Sequence, residues 1–240
     1  MSILEVKNVS VSFEDQIIIN GVSFVLEKGE ALAIIGPNGS GKTTLLKAIL
    51  GSIKYSGEII KTGVRIGYVP QKLDIDRNLP LTVKEFFSLI HTKKLDENYT
   101  DNRVLEFVGF DQEYANKKFS NLSAGEFQRI LIAAAILSKP NLLIFDEPTA
   151  SVDAAGQETV YELLHRLQTK ENVALILISH DPSVVYQYAN NVLCLNQSHK
   201  QVCYGAPREI LTPEGFKNLY ISDHDNHHDL YVGDYNHHHH

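Results

Sequence analysis

A glycine-rich stretch constrains this chain more than any other part of its sequence. The stretch follows the motif G-x-x-x-x-G-K-[ST] and lies between an apolar run at residues 31–35 and an amphipathic segment at residues 45–51. Its members are Gly36, Pro37, Asn38, Gly39, Ser40, Gly41, Lys42, Thr43 and Thr44. A strand, a glycine-rich loop and a helix in this order are the context in which the motif indicates a phosphate-binding loop.

The residue types in this stretch suit phosphate chemistry. Its glycines let the backbone bend so that successive N–H groups point inward, and the following helix adds the positive end of its dipole. Lys42 supplies a positive charge for the β- and γ-phosphates, and the Thr43 hydroxyl can ligate Mg²⁺. A glycine-rich turn that happens to contain Lys-Thr is the alternative, but motif and context together favour binding of a nucleoside triphosphate.

Length and charge narrow the class of protein. The chain has 240 residues, which suits one large domain or a core that carries an inserted subdomain. A formal net charge of −7 argues against a nucleic-acid binder, because neutralising phosphates requires a basic surface. Residues 1–7 lack the pattern of a signal peptide, and the longest apolar run, at 130–137, is far shorter than the roughly 20 residues of a membrane span. Any role at a membrane would be that of a peripheral subunit.

The two cysteines, Cys194 and Cys203, are too few for a disulfide framework, so a reducing compartment fits. They flank a predicted turn and could face each other, although two small apolar strand residues are the favoured interpretation.

Hydrophobic periodicity predicts an α/β core that is interrupted by helices. Strands are predicted at residues 3–13, 17–19, 22–26, 31–35, 57–60 and 65–69, with a turn at Asn20-Gly21. Their density before the glycine-rich stretch suggests an antiparallel layer attached to the core. Helices are predicted at residues 82–91, 99–110 and 125–138, the first with the capping pattern of Thr82 and Glu85. Residues 72–138 are therefore predicted to be a helical insertion.

The core resumes at an apolar run that ends in Asp146 and Glu147. A run without alternation, closed by two carboxylates, is typical of a buried parallel strand with a site at its carboxyl end. One carboxylate can hold Mg²⁺ with Thr43, and the second can polarise or deprotonate an attacking water. Two solvated acids are the alternative. The remaining predictions are a helix at 154–170, a strand at 173–179, a helix at 181–190, a hairpin of 192–195 and 201–204, and short helices from 207 and 213.

A second anion site is predicted where the third helix of the insertion begins. Ser123 and Glu126 stand three apart before an apolar helix, which is the capping-box pattern. A helix N-terminus with Gly125 close behind the serine also suits an anion. The chain already has one phosphate loop. A second anion site therefore suggests a dimer in which the second site of one copy completes the phosphate loop of the other.

Phe13 and His180 are each open to two interpretations. Phe13 ends the first predicted strand, where it could stack on a nucleotide base or be an ordinary core phenylalanine. A lone histidine is more often a structural residue, but His180 follows an apolar strand beyond both phosphate motifs. That position favours contact with the γ-phosphate.

Together these motifs resemble those of the nucleotide-binding subunit of an ABC transporter. The matching stretches, in order and in spacing, are residues 36–44, Gln71, 122–126, 142–147, Asp153 and His180. The resemblance covers residues 3–220 and implies an α/β fold, with a P-loop NTPase (RecA-like) core, an antiparallel β subdomain and an inserted helical subdomain. It implies one ABC ATPase domain over residues 1–220, in which 1–71 and 139–220 form the core with its antiparallel layer and 72–138 the insertion.

The resemblance also implies roles for individual residues. Phe13 would stack on adenine, and residues 36–44 would hold the phosphates of ATP. The Mg²⁺ ligands would be Thr43, Gln71 and Asp146. The residues acting in hydrolysis would be Lys42, Gln71, His180 and Glu147, with Glu147 as the general base. Ser123, Ala124, Gly125 and Glu126 would close on ATP held by a second copy, and Asp153 would communicate across that homodimer.

The sequence departs from the family at two positions of this last stretch. The usual Leu-Ser-Gly-Gly-Gln is here Leu-Ser-Ala-Gly-Glu, with Ala124 and Glu126 as the replacements. Because the serine and Gly125 remain, we expect the stretch to function, with an altered turnover rate as the open question.

Further stretches are similar to the subgroup that powers zinc and manganese importers, at residues 67–72, 79–83, 194–196 and 203–205. This similarity implies an ATPase, peripheral at the cytoplasmic face of the cell membrane, that drives metal uptake through an integral membrane permease. An extracytoplasmic metal-binding protein would be an indirect partner. An ABC ATPase of a soluble assembly, such as iron–sulfur cluster building, is the alternative, and a metal buffer with weak ATPase activity is a third interpretation.

The C-terminal residues 221–236 are rich in histidine and aspartate. Imidazoles and carboxylates at this density can bind transition metals, so His224, His227 and His228 are candidate ligands of a regulatory metal. A solvated tail is the alternative. Residues 237–240 are interpreted as an expression tag.

Overall fold

The structure, a computed structural model, describes residues 1–14, 16–71, 80–90, 101–147, 154–179 and 181–212. Its strands are β1 (Ser2–Phe13), β2 (Gln16–Glu27), β3 (Ala31–Ile35), β4 (Ser56–Lys61), β5 (Ile66–Val69), β6 (Leu142–Asp146), β7 (Ala174–Ile178), β8 (Asn191–Leu195) and β9 (Gln201–Gly205). Its helices are α1 (Lys42–Leu50), α2 (Val83–Ile90), α3 (Asp101–Phe107), α4 (Ala124–Leu137), α5 (Ala154–Glu171), α6 (Pro182–Tyr188) and α7 (Pro207–Ile210). Short 3-10 helices lie at Gln112–Asn116 and Phe119–Asn121. The predicted α/β class is confirmed.

A six-stranded sheet in the order β5-β6-β7-β3-β8-β9 forms the centre of the fold. Its strands run parallel except for β9, which pairs with β8 in the antiparallel sense. Every residue of β3, β6 and β7 is buried, which explains why these strands are apolar runs without alternation. Because parallel strands share one carboxyl edge, the residues that follow β3, β5, β6 and β7 meet at that edge.

Successive residues of the sheet face two different hydrophobic cores. Leu142 and Ile144 of β6 pack with α1 and the β1–β2 hairpin, whereas Leu143 and Phe145 pack with helices α2 to α5. This two-sided burial explains why residues 142–145 of β6 are all apolar, and Asp146 follows them at the carboxyl end of the strand.

The antiparallel layer has the strand order β2-β1-β4. The prediction of two short strands separated by a turn at Asn20-Gly21 is wrong, because β2 continues through both residues. The pairs Val9↔Val22 and Val11↔Ile19 leave an extra residue on β2, which is absorbed as a bulge. Gly21 takes a φ of 66° there, and its N–H donates to the Ser10 hydroxyl at 2.9 Å.

The helices α2, α3 and α4 pack around a group of aromatic side chains. Phe119 is completely buried, and its ring centroid lies 4.7 Å from that of Phe86 and 5.5 Å from that of Phe127. The predicted cap of α2 is confirmed: the Thr82 N–H donates to Glu85 Oε2 at 2.8 Å, and the Glu85 N–H donates to Thr82 Oγ1 at 3.3 Å.

The predicted hairpin near the end of the described chain is confirmed as β8 and β9. Cys194 and Cys203 lie opposite each other in this hairpin, with their Cα atoms 4.9 Å apart, and they form a disulfide. The favoured interpretation, two small apolar strand residues, did not include this bond, which forms because the register brings both side chains to one face. The helix predicted from residue 213 and the His/Asp-rich tail lie outside the described residues.

Within the described residues, no helix has both the length and the apolar character needed to span a membrane.

Candidate functional site

The glycine-rich stretch forms a loop between β3 and α1, which we call the phosphate loop (residues 36–44). Gly36, Gly39 and Gly41 have φ values of 151°, 82° and 96°, a region that side-chain-bearing residues rarely occupy. A Cβ at Gly36 would overlap the Leu195 carbonyl oxygen, and one at Gly41 would lie 2.5 Å from the Ile18 carbonyl oxygen. Glycine is therefore required at Gly36 and Gly41 for two reasons, backbone conformation and the close approach of β8 and β2.

Two polar side chains of the phosphate loop are buried in a way that fits an anion. Lys42 is 6% exposed, and its Nζ donates to the Gly36 and Pro37 carbonyl oxygens, each at 2.9 Å. Burial lowers the pKa of its ammonium group, whereas the nearby carboxylates of Glu147 and Asp146 act in the opposite direction. The Ser40 hydroxyl is fully buried, and among the described residues it has no hydrogen-bond partner. An unsatisfied hydroxyl and a buried ammonium beside a glycine loop fit a bound phosphate chain.

Asp146 lies at the carboxyl end of β6, next to the phosphate loop. Its Oδ1 accepts a hydrogen bond from the Thr43 hydroxyl at 3.4 Å, and the residue is 4% exposed. Burial raises the pKa of this carboxyl group, the Thr43 hydrogen bond lowers it, and the neighbouring Glu147 carboxylate raises it further. A hydroxyl and a buried carboxylate in contact are a donor set that suits Mg²⁺.

The Tyr68 hydroxyl also lies near Asp146: burial raises its pKa, and the Asp146 carboxylate raises it further. Sequence reasoning missed this proximity, because Tyr68 belongs to β5 and approaches Asp146 only through the pairing of β5 with β6. The register Tyr68↔Ile144, two residues before Asp146, becomes known only with the fold.

Glu147 and Gln71 meet at the same edge of the sheet. The Gln71 Nε2 donates to Glu147 Oε2 at 2.6 Å, although the two residues are far apart in sequence. Glu147 has a φ of 51°, which is unusual for a residue with a side chain and turns the chain sharply after β6. The predicted general base and the predicted Mg²⁺ ligand Gln71 are therefore in direct contact.

Five predicted site residues lie outside the described part of the chain: Asp153, His180, His224, His227 and His228. The strand before His180 can be placed: Ile178 at the end of β7 is the register partner of Asp146, and Ser179 beyond it is buried. The contacts predicted for His180 and Asp153 stay predictions, as do those of His224, His227 and His228.

Phe13 lies at the end of β1, opposite Gln16 of β2. Its side chain is 51% exposed, so the interpretation as an ordinary core phenylalanine is wrong. The hairpin that carries it also supplies the Ile18 carbonyl that touches the phosphate loop at Gly41. Stacking of Phe13 on a base stays a prediction.

The start of α4, which we call the α4 cap (residues 123–126), carries the predicted capping box. The Ser123 hydroxyl accepts from the Glu126 N–H at 3.2 Å, and Glu126 Oε2 accepts from the Ser123 N–H at 2.8 Å. A cavity of about 420 Å³ opens at this cap. Its lining residues are Ser123, Ala124, Gly125, Glu126, Arg129, Gly156 and Thr159. Within the described chain, this lining includes no residue of the phosphate loop, so the two predicted anion sites do not share this cavity.

Comparisons with known proteins agree with this geometry. The model of the ABC transporter family matches residues 19–150. A metal transport system ATP-binding protein of Thermotoga maritima is 40% identical over 224 residues, covering 92% of this chain and 91% of that protein. The zinc import ATP-binding protein ZnuC of Rickettsia prowazekii is 38% identical, covering 94% of this chain and 98% of that protein.

Among solved structures, a metal-chelate type ABC transporter in an inward-facing conformation matches with a TM-score of 0.82 at 30% identity, over 91% of this chain and 89% of that chain. The predicted P-loop NTPase fold is thereby confirmed. The chain belongs to the ABC transporter family, as an ATP-binding subunit that hydrolyses ATP to power transport.

Proposed function

We propose that this chain is the ATPase of an importer for a divalent transition metal, zinc or manganese, and that it acts as a homodimer on the cytoplasmic face of a membrane permease. ATP-binding subunits of ABC importers dimerise and pair with membrane permease components. The relatives named for metal transport and zinc import, which match nearly the whole chain, are the observation that carries the proposal. An ABC ATPase of a soluble assembly is not favoured, because neither of these relatives is named for such a function.

The described contacts support distinct roles for the residues around ATP. In the ATP-bound form, Lys42 would exchange its two carbonyl contacts for phosphate oxygens, and the Ser40 hydroxyl would gain a partner. Thr43 and Asp146 would hold Mg²⁺, with Gln71 as a further ligand. Mg²⁺ supplies charge neutralisation at the β- and γ-phosphates. Glu147 would take the proton of the attacking water as it displaces ADP from the γ-phosphorus, and His180 would contact the γ-phosphate.

The cavity at the α4 cap supports a head-to-tail dimer. The phosphate loop and the α4 cap would each offer part of a binding site, and within the described residues the cavity at the cap includes no residue of the loop. In a dimer, the Ser123 hydroxyl and the Gly125 N–H of one copy would meet the ATP held by the other, completing two composite sites.

An apolar groove beside Gln71 supports docking of the permease. The groove has a volume of about 820 Å³, and its lining residues include Tyr68, Pro70, Pro80, Leu81, Leu89 and Ile90. Leu89 is 69% exposed and Ile90 47%, an unusual exposure for large apolar side chains on a helix. A short apolar segment of the permease, inserted here, would lie next to the Gln71–Glu147 contact.

Metal uptake by cells that lack the chain tests the proposal. We expect uptake of zinc or of manganese to fall, and to be restored by the wild type but not by Lys42→Ala. Leu89→Asp should keep its ATPase activity as a purified protein yet fail to restore uptake, whereas Val202→Asp, at an exposed site on β9, should restore it. Unchanged uptake of both metals would show that the metal assignment is wrong. Co-purification with a soluble scaffold, in place of an integral membrane protein, would favour the alternative.

A further inference from the structure

Glu126 places a negative charge in the α4 cap, where the proposed dimer brings a triphosphate. The residue is the third of the helix, and its carboxylate bonds back to the Ser123 N–H. Partial burial favours the protonated acid, but hydrogen bonds from Tyr114, the Ser123 N–H and Lys117 outweigh it and lower the pKa to about 2. Glu126 is therefore ionised under physiological conditions. Left uncompensated, a carboxylate at this position would repel the phosphates of the second copy's ATP.

Lys117 lies directly against this carboxylate. Its Nζ is 3.1 Å from both Glu126 oxygens and donates to the Tyr114 hydroxyl at 2.8 Å. The Tyr114 hydroxyl in turn donates to Glu126 Oε1. The side chains of Lys117 and Glu126 are 30% and 24% exposed, so the pair is only partly screened by water. We call Tyr114, Lys117 and Glu126 the charge cluster.

The backbone before α4 holds Tyr114 and Lys117 in place. Asp111 caps the 3-10 helix Gln112–Asn116 by accepting from the Tyr114 N–H at 3.1 Å, and Lys117 is the residue that ends it. The Tyr114 ring stacks on Phe110 with the centroids 4.0 Å apart. The ammonium of the charge cluster is thus fixed by a separate element that packs against the α4 cap.

We propose that Lys117, held by Tyr114, is a positioning residue for hydrolysis in the composite site: it neutralises Glu126 so that the α4 cap can accept the γ-phosphate bound by a second copy. The inference rests on the proposed head-to-tail dimer. The inference also accounts for Glu126, which stands where the family usually has a glutamine. This chain has a carboxylate in place of the neutral amide, and it pairs that carboxylate with the Lys117 ammonium. With Glu126 held at the Ser123 N–H, the Ser123 hydroxyl accepts from the Glu126 N–H and can donate its proton to a phosphate oxygen.

The test measures ATP-dependent dimerisation of the full chain by sedimentation, in a Glu147→Gln background that blocks hydrolysis. Lys117→Met removes the charge, and Lys117→Arg keeps it. Glu126→Gln removes the carboxylate, alone and combined with Lys117→Met. Lys118→Met is the matched control, because this neighbouring lysine is exposed and lies outside the charge cluster. Binding of ADP to each monomeric variant shows whether its phosphate loop is intact. Thermal unfolding of the same variants shows whether the fold is intact.

We expect Lys117→Met to weaken the ATP-bound dimer about tenfold, and Lys117→Arg and Lys118→Met to change it little. Binding of ADP to the monomer should not change. Glu126→Gln should abolish the effect, so that the double variant dimerises as Glu126→Gln does. Salt should reduce the loss caused by Lys117→Met, because the repulsion is electrostatic. In the active background, Lys117→Met should lower kcat, and Glu126→Gln should restore it.

An equal loss from Lys117→Met in the presence and absence of Glu126 would overturn the inference, because it would show a purely structural role. So would a dimer that is insensitive to Lys117. A chain with Glu147→Gln alone that stays monomeric with ATP and Mg²⁺ would overturn both the inference and the proposed dimer. If dimerisation does not depend on Lys117, the proposed function is unaffected.

Discussion

At the scale of single residues, Lys42 shows a conflict between stability and function. Its ammonium is buried against two loop carbonyls, and its lowered pKa means that burial disfavours the charged form. This charge destabilises the fold. The destabilisation is complete below the lowered pKa of the folded state, and it disappears as the pH rises to 10.5, the usual pKa of the group, and beyond. Burial of the cation at this position therefore costs stability, which fits the proposed role of Lys42 in binding ATP.

Lys42→Met should remove ATP binding without weakening the ATP-free protein. For the wild type, ATP at about a hundred times its Kd should stabilise the fold by about 2.7 kcal/mol, seen as a rise in Tm. We expect no such rise for Lys42→Met, and an ATP-free Tm at least equal to that of the wild type. Lys54→Met, at an exposed lysine, is the control and should respond to ATP normally. A full ATP-induced rise in Lys42→Met would contradict the assignment.

The proximity of Tyr68 to Asp146 predicts a specific effect on Mg²⁺. Tyr68→Phe removes the hydroxyl that lies near a buried carboxylate proposed to hold the ion. Because the surroundings of Asp146 then lose a polar group, the Mg²⁺ concentration for half-maximal ATPase activity should rise about three- to tenfold. Binding of ATP in the presence of a chelator should be unchanged. Tyr55→Phe, at a partly exposed tyrosine, is the control, and an equal response of both variants would refute the prediction.

Glu126 predicts a pH dependence of stability. Its pKa in the folded state is about 2, compared with an ordinary value of 4.5, so its contribution is fully present above 4.5 and is lost as the pH falls towards 2. The difference in unfolding free energy between the wild type and Glu126→Gln should therefore be constant above 4.5 and shrink below it. Chemical denaturation over a pH series measures this, with Glu113→Gln as the control. A difference that grows in acid would contradict the sign.

At the scale of elements, the sequence predicted what local patterns determine. The buried strands β3, β6 and β7 were predicted within a residue or two, because both of their faces are covered and the apolar run is unbroken. The caps at Thr82 and Ser123 were predicted because capping is a local interaction. The continuity of β2 was missed because the bulge at Gly21 exists only through pairing with β1.

The aromatic group of the helical part predicts a large loss of stability on truncation. Phe119 is completely buried and contacts Phe86 and Phe127, which belong to α2 and α4. Phe119→Ala should therefore lower the unfolding free energy by about 3–5 kcal/mol, and Phe119→Leu by less, because leucine leaves a smaller cavity. Urea denaturation of both variants measures the difference. Equal small losses would show that the residues around Phe119 repack.

At the scale of the whole molecule, the site could be predicted in its residue types but not in its contacts. The phosphate loop, Asp146 and Glu147 were predicted from motifs, since the residues of each motif are adjacent in the sequence. Three features join elements that only the sheet order and the helix packing bring together: the Gln71–Glu147 contact, the proximity of Tyr68 to Asp146, and the charge cluster. The Cys194–Cys203 disulfide was missed for the same reason.

A mixing experiment tests the whole-molecule arrangement directly. Lys42→Met damages the phosphate loop, and Gly125→Asp puts a negative charge in the α4 cap, so each variant alone should lack ATPase activity. In a head-to-tail dimer that contains one copy of each, both damaged halves fall in the same composite site. The other site then combines an intact phosphate loop with an intact α4 cap.

The mixture should therefore regain activity that neither variant has alone, about a quarter of that of the wild type if the copies pair at random and the two sites act independently. Titrating one variant into the other at constant total protein should give a maximum near equal amounts. A chain that completes its own site would instead give no recovery at any ratio, because every site would carry a damaged half. That result would rule out the composite site, while the ATP contacts of the phosphate loop would be unaffected.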